Sequence, residues 1–369
     1  MKNVLQLQSI SKWLPTASKP IIISGPCSAE TEEQTVATAK QIAATGKVHA
    51  LRAGIWKPRT RPGMYEGAGE EGLKWLIAAK KETGLPVTTE VANAAHVDAC
   101  LKAGVDILWV GARTTVNPFS VQEIADSLKG VDIPVMVKNP INPDLELWIG
   151  ALERLNKAGL TKLAAIHRGF SSFEKGPFRN APMWDMAIEL KTRIPELDII
   201  CDPSHIAGNR DLIALISQKA LDLDMAGLMI ESHINPDAAW SDAKQQVTPA
   251  ALGKIIDGLV VRTVSSENKT FKDTLSVLRE QIDHLDDEIM QKLAARMKIS
   301  EKIGQYKKEN NVTILQVNRW EEIVQTRAAL GKAMGLEEGF TRDLLRLLHH
   351  ESIQVQTKVM NKDAAAAKV

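Results

Sequence analysis

Eight side chains in this sequence are poor candidates for a core, yet each closes a short apolar run: Cys27, Arg52, Glu90, Arg113, Lys138, Arg168, His205 and Glu231. Lys57 and Arg59 follow Arg52 closely, so the set is strongly cationic and suited to a multiply charged anion. A single arginine at such a position is ordinarily a solvated loop charge, but that explanation fails for a set that recurs at every run. The sharpest local motif is Lys57-Pro58-Arg59-Thr60. Two cations and a hydroxyl on a proline-stiffened turn make a phosphate clamp, because arginine offers a planar fork and threonine a short donor. Cys27, His205, Glu231 and Asp242 add one sulfur, one nitrogen and two carboxylate donors. That mixture suits a divalent transition ion (Mn, Fe, Co or Zn) better than Mg or Ca, without choosing among them.

These residues work together only if the elements carrying them converge. Short β-branched runs alternate with helical patterns: PIIISG, VHALRAG, PVTTEV, DILWVG, IPVMVKN, KLAAIHRG, LDIICDPSH and MAGLMIESH. Eight alternating units in about 250 residues predict an α/β chain closed as a (β/α)8 TIM barrel, with the chemistry-bearing residues at the carboxyl ends of the strands. The same alternation also permits an open doubly wound sheet; eight as the closing number, and the polar residues at strand ends, favour the barrel. Gly67-Ala68-Gly69-Glu70-Glu71-Gly72 spells a dinucleotide fingerprint, but more than ten residues separate it from the preceding strand, so these glycines are read as a loop and a helix start.

The chain has 369 residues, 44% hydrophobic and 25% charged, which excludes a small module and a disordered chain. Forty-six basic against forty-five acidic residues leave no global attraction for nucleic acid or membrane. Three scattered cysteines and the lack of a signal segment or long apolar run fit a cytoplasmic protein. All sixteen prolines lie at or before Pro249, and only four of the twenty-three glycines follow residue 266. The expected division is therefore a barrel over residues 1–264, a linker over 265–270, an all-α domain over 271–360 and a frayed tail over 361–369. In the second domain Leu275, Leu278, Ile282, Leu285, Ile289, Leu293 and Met297 predict one helix from Phe271 to Glu309, about 60 Å long. A helix of that length needs a partner, so a second copy is expected against it. Two shorter helices are expected around Val317 to Leu330 and Glu337 to Val359.

GPCS at Gly25, KPRT, TTEV, GARTT, VKN, HRG, DPSH and IESH follow one another in that order. The first 262 or so residues closely resemble the short barrel type of 3-deoxy-D-arabino-heptulosonate 7-phosphate (DAHP) synthase. The resemblance implies condensation of phosphoenolpyruvate with erythrose 4-phosphate, the opening reaction of aromatic biosynthesis, with one divalent metal per barrel. The sister synthase that makes 3-deoxy-manno-octulosonate 8-phosphate has Ala-Asn where this chain has Pro58-Arg59. Carried over, Arg52, Lys57, Arg113, Lys138 and Arg168 hold phosphoenolpyruvate with Glu90 beside them, and Arg59 and Thr60 take the phosphate of the aldose. Cys27, His205, Glu231 and Asp242 hold the metal. Lys138 and His167 are both open as proton carrier.

In the second domain Arg296 and Lys307 are eleven residues apart and share a helix face, while Ser352 and Gln356 place uncharged polar groups on an apolar stripe. Together with Arg279 and Arg319 they resemble the all-helical chorismate mutase pattern over about residues 271–360. This implies an intertwined homodimer, or a higher oligomer built on it, whose pocket takes Arg279 from one chain and Arg296, Lys307, Arg319, Ser352 and Gln356 from the other. The implied reaction is the rearrangement of chorismate to prephenate, with Lys307 and Gln356 donating to the ether oxygen. Trp320 stands where the family usually has an acid that contacts the substrate hydroxyl; Glu321 is the neighbouring acid. A dimerisation and effector-binding module with little turnover is the alternative. With about eighteen residues before the first strand, the appended domain is also the expected sensor through which prephenate or chorismate controls the barrel.

Overall fold

The computed structural model describes residues 5–14, 20–58, 63–173, 176–263 and 265–366. They form two compact units, Met1–Val264 and Ser265–Val369. The first contains eight parallel strands: β1 (Ile21–Gly25), β2 (Ala50–Arg52), β3 (Val87–Val91), β4 (Ile107–Val110), β5 (Val135–Lys138), β6 (Leu163–His167), β7 (Asp198–Cys201) and β8 (Gly227–Glu231). Each pairs with the next in sequence order, and β8 returns to β1 with Gly25 opposite Glu231, so the barrel is closed as expected.

Strand alternation sorts the side chains. Ile21, Ile23, Ala50, Ile107, Trp109, Met136, Ala164, Ile166, Ile200 and Met229 form a buried cluster inside the barrel. Their alternates, such as Leu51, Val87, Leu108, Val135, Ala165 and Leu228, pack beneath the surrounding helices. Two residues beyond Ala50, Met136 and Met229, the same inward phase reaches Arg52, Lys138 and Glu231, and Glu90 is the inward residue two after Thr88. An apolar barrel thus ends in a polar upper layer. Its lower end is closed by the segment before β1: the short helix Ile10–Trp13 lays Ile10 and Leu14 into the interior cluster, and the Ile10 amide donates to Asp198 at the start of β7 (2.7 Å).

The glycine-rich segment behaves as a helix start. Gly69 caps the helix Glu70–Thr83 with a positive φ of 61°, and Gly72 packs against the Ile55 side chain, with no room for a Cβ there.

The second unit consists of helices Lys269–Glu309, Val317–Ala333 and Glu338–Ala366. The first begins within the expected linker because Asn268 caps it by accepting from the Phe271 amide (3.1 Å). The last runs six residues beyond 360, in keeping with the high helix propensity of an alanine-rich end. Among the described residues no helix is long and apolar enough to cross a membrane.

Candidate active sites

The upper layer opens into a cavity of about 310 Å³ at the carboxyl ends of the strands, lined by Lys57, Glu90, Arg113, Lys138, Arg168, His205 and Asp242. It is also lined by Arg179 and Asn180, which lie in the loop after β6. Arg52 lies just beneath at 1% exposure, with Nη2 3.2 Å from Glu231 Oε1 and 3.3 Å from the Cys27 carbonyl. Arg59 and Thr60 are outside the described residues.

Among the described lining residues Lys57, Arg113, Lys138, Arg168 and Arg179 outnumber the carboxylates Glu90 and Asp242. Burial, together with the neighbouring Arg179 and Arg113, lowers the Arg168 guanidinium to about 10, although Asp202 works in the other direction. Asn139 accepts from the Arg168 amide (2.7 Å) and Asn180 Oδ1 from its Nη1 (2.8 Å), so the side chain is aimed before any ligand arrives. Lys138 Nζ donates to Asp202 Oδ2 (2.8 Å), both being buried.

On one side of the mouth, ligand atoms of Cys27, Glu231 and Asp242 lie within 4.8 Å of one another. His205 lies outside that tight trio but borders it, with Nε2 3.8 Å from Glu231 Oε1. Its Nδ1 is 2.8 Å from Asp202 Oδ2 without the alignment of a hydrogen bond, and its amide donates to Asp202 Oδ1, so one carboxylate borders both the ring and Lys138. Burial pushes the His205 imidazole below its ordinary value, which favours the neutral form that ligates metals. Burial and the neighbouring Glu231 push the Cys27 thiol up to about 12; the thiol sits 3.5 Å from Asp242 Oδ2 and 3.1 Å from Lys57 Nζ. Glu231 Oε1 is buried without a well-aligned hydrogen bond.

The loop carrying Asp242 is fixed by groups that strand-end reading does not reveal. Gln245 donates to Glu231 Oε2 (2.7 Å) and accepts from Arg179 (2.6 Å), which also donates to Asp242 (3.0 Å). Gln246 accepts from the Cys27 amide (2.9 Å). Asp242 itself has φ 49°, unusual for a residue other than glycine and a form of strain found at functional sites.

His167 is a correction. It follows Leu163 and Ala165 in the outward phase of β6 and is fully buried, its ring 5.2–6.3 Å from those of Trp184, Phe170 and Trp148. Among the described residues it is not part of the cavity lining. Burial lowers its imidazole from 6.5 to about 4. Above pH 6.5 both folded and unfolded chains keep it neutral; below, the unfolded chain takes up a proton that the fold refuses, so stability falls with pH. The expected loss from this group between pH 7 and pH 5 is about 2 kcal/mol. Urea titrations at the two pH values should show a smaller loss for His167→Phe than for the parent, and equal losses would refute the assignment.

In the helical unit the long helix and the last helix bring Arg296 against Ser352: Nη1 donates to Ser352 Oγ (2.6 Å) and to the Leu348 carbonyl (3.1 Å). Gln356 is buried with Oε1 unpaired, and its backbone and side chain crowd Gly304 too closely for a Cβ to fit without displacement. Lys307 Nζ donates to the Ile314 carbonyl (2.5 Å), and burial lowers it as it does Arg296. Arg319 is exposed and paired with Glu322 (2.6 Å). Arg279 is exposed on the long helix, about 25 Å from Arg296 at helical rise, so the chain does not bring these two together. Trp320 stacks on His349 with ring centroids 4.0 Å apart, and Glu321 is exposed.

Fold and site together define a (β/α)8 barrel with a cationic cavity at its C-terminal mouth, joined to an all-helical unit. The chain belongs to the DAHP synthetase I family, which it matches over residues 15–263, and residues 278–357 match chorismate mutase type II, so both enzyme domains are present. It is 32% identical over 256 residues to a phospho-2-dehydro-3-deoxyheptonate aldolase of Thermotoga maritima, covering 69% of this chain and 71% of the relative. A crystal structure of the Thermotoga maritima DAHP synthase superposes with a TM-score of 0.58 at 30% identity, covering 64% of this chain and 66%, just under two thirds, of the other. A 2-dehydro-3-deoxyphosphooctonate aldolase of Polaromonas naphthalenivorans is 25% identical, covering 69% of this chain and 94% of that protein.

Proposed function

We propose that the barrel condenses phosphoenolpyruvate with erythrose 4-phosphate, releasing phosphate, and that the helical unit rearranges chorismate to prephenate. The observation that carries the first reading is the cavity in which Lys57, Arg113, Lys138 and Arg168 face the Cys27, Glu231 and Asp242 donors. The cations suit a trianion: Arg168, pre-aimed by Asn139 and Asn180, and Arg113 take phosphate or carboxylate, with Arg52 as support beneath.

The family generally depends on a divalent metal, and the donor set fits one: three ligand atoms within 4.8 Å, a neutral histidine at their border and a buried carboxylate oxygen without an aligned donor. Cys27, Glu231, Asp242 and His205 would hold the ion, a transition metal by its sulfur and nitrogen ligands, and a dication beside the thiol favours the thiolate. When bound it supplies Lewis-acid polarisation of the aldehyde. The chain's own groups do the rest. The cations fix the enol carbon against the aldehyde so that attack is effectively unimolecular, and Lys138, held by Asp202, is the proton carrier toward the new alkoxide. Water then adds to the cationic carbon and phosphate leaves. Incubating the purified chain with both substrates should consume phosphoenolpyruvate and release inorganic phosphate. Turnover with arabinose 5-phosphate instead would move the assignment to the octulosonate reaction.

For the rearrangement, Arg296 with Ser352 binds a carboxylate, and Lys307 and Gln356 donate where negative charge grows on the ether oxygen. The reading places Arg279 in the pocket of a second copy. Leu278, Ile282, Leu285 and Ile289, each about half exposed on one face of the long helix, support such pairing. Three free, buried cysteines support a cytoplasmic setting. We also assign control of the barrel to this unit: prephenate or chorismate added to the full chain should lower the condensation rate, through substrate binding weakened about five- to hundredfold. A rate indifferent to both removes the control reading and leaves the two activities standing.

A further inference from the structure

We propose that Trp109 is a positioning residue for the anion cavity, one side chain that sets Glu90, Arg52 and Lys138 relative to one another. The inference rests on the reading of that cavity as the phosphoenolpyruvate site. Trp109 lies in β4 within DILWVG, in inward phase with Ile107 and in register between Glu90 of β3 and Met136 of β5. At 1% exposure it would pass for core filling. Its contacts say otherwise. A buried indole N–H needs an acceptor, and here Nε1 donates to Glu90 Oε2 at 2.9 Å. The other side of that carboxylate is bounded by Gly111, where an added Cβ would stand 2.1 Å from Glu90 Oε1. Glu90 is therefore boxed between an indole edge and a bare backbone, and its direction into the cavity is set by both.

The ring face carries the second part. Arg52 Cζ lies 5.0 Å from the indole centroid and Lys138 Nζ 5.7 Å from it, both within the range in which a ring quadrupole attracts a cation. Arg52 has Nε and Nη1 buried without hydrogen bonds while Nη2 reaches toward Glu231 and Cys27, so few other directed contacts hold its guanidinium. Lys138 is tied to Asp202 as well. Trp109 thereby lies within reach of both Arg52, which approaches Glu231 and Cys27, and Lys138, and it attracts both cations without neutralising either.

Two substitutions in the full-length chain separate these roles. Trp109→Phe keeps a ring face and loses the donor, whereas Trp109→Leu loses both. Phosphoenolpyruvate binding, measured by calorimetry without aldose, should weaken about tenfold in Trp109→Leu and no more than about threefold in Trp109→Phe, since the face is the element that holds the cations. The kcat of condensation should fall about tenfold in Trp109→Phe. In a Glu90→Ala background the same change should cost nothing further, because the donor acts only through that carboxylate. A residue that merely fills space predicts a lower melting temperature with binding and kcat unchanged; that outcome, or additive losses in the Glu90→Ala background, overturns the proposal. Should Trp109→Leu fail to fold, the Trp109→Phe and Glu90→Ala cycle decides alone. A parent chain that does not bind phosphoenolpyruvate would instead overturn the reading of the cavity.

Discussion

Cys27→Ser is expected to abolish condensation, by on the order of 10³-fold or more, and to leave the chorismate rearrangement at its parent rate. Sulfur is the ligand that makes the set suit a transition ion, and a hydroxyl neither ionises nor binds such an ion comparably. The change is confined to the ligand atom. Arg52 and Lys57 both approach the Cys27 carbonyl, and Gln246 holds its amide, so the backbone partners survive the substitution. Lys57 loses only its 3.1 Å contact with sulfur. The check is elemental analysis for bound metal alongside both assays. A strong chelator should mimic the variant in the parent chain, and adding back Mn, Fe, Co or Zn should restore condensation. Loss of both activities with an intact fold would refute the division of chemistry between the two units, and full condensation by a metal-free Cys27→Ser chain would refute the metal reading.

Arg296→Ala should lower kcat/KM for the rearrangement by on the order of 10²–10³, since leaving a buried substrate carboxylate without its cation costs about 2–5 kcal/mol. Ser352 Oγ would lose its 2.6 Å donor but still donates to the Leu348 carbonyl at 2.7 Å, so the last helix keeps its local hydrogen bonding. Circular dichroism should therefore show the parent helix content, and condensation should be unchanged in metal-loaded protein. Undiminished rearrangement would make Arg296 a structural arginine that merely ties two helices together. Arg319→Ala distinguishes the readings further: in the described chain that side chain only pairs with Glu322 at an exposed position, so an effect of similar size would require a pocket completed by ligand or by a second copy.

The eight strands, their closure and the convergence of Arg52, Glu90, Lys138 and Glu231 on one mouth were readable from local pattern, because eight alternating units close a barrel whose strand ends share one face. His167 shows how motif reading misleads where phase does not. It adjoins Arg168, yet it shares the outward phase of Leu163 and Ala165 and is enclosed by three aromatic rings. The long helix was equally readable, since apolar residues three and four apart continue without a breaker.

What only the folded chain decided are the contacts between segments far apart in sequence. Arg179 and Gln245 carry no strand-end signature and meet across sixty-six residues to fix Asp242 and Glu231. Asp202 joins Lys138, sixty-four residues earlier, to His205 in the next turn. Trp109, an apolar letter in an apolar strand, proves to touch one acid and lie over two cations. Periodicity reports which way a side chain points relative to its own element. Which partner waits there depends on strand register and loop path, and these are set by the whole barrel closing at once.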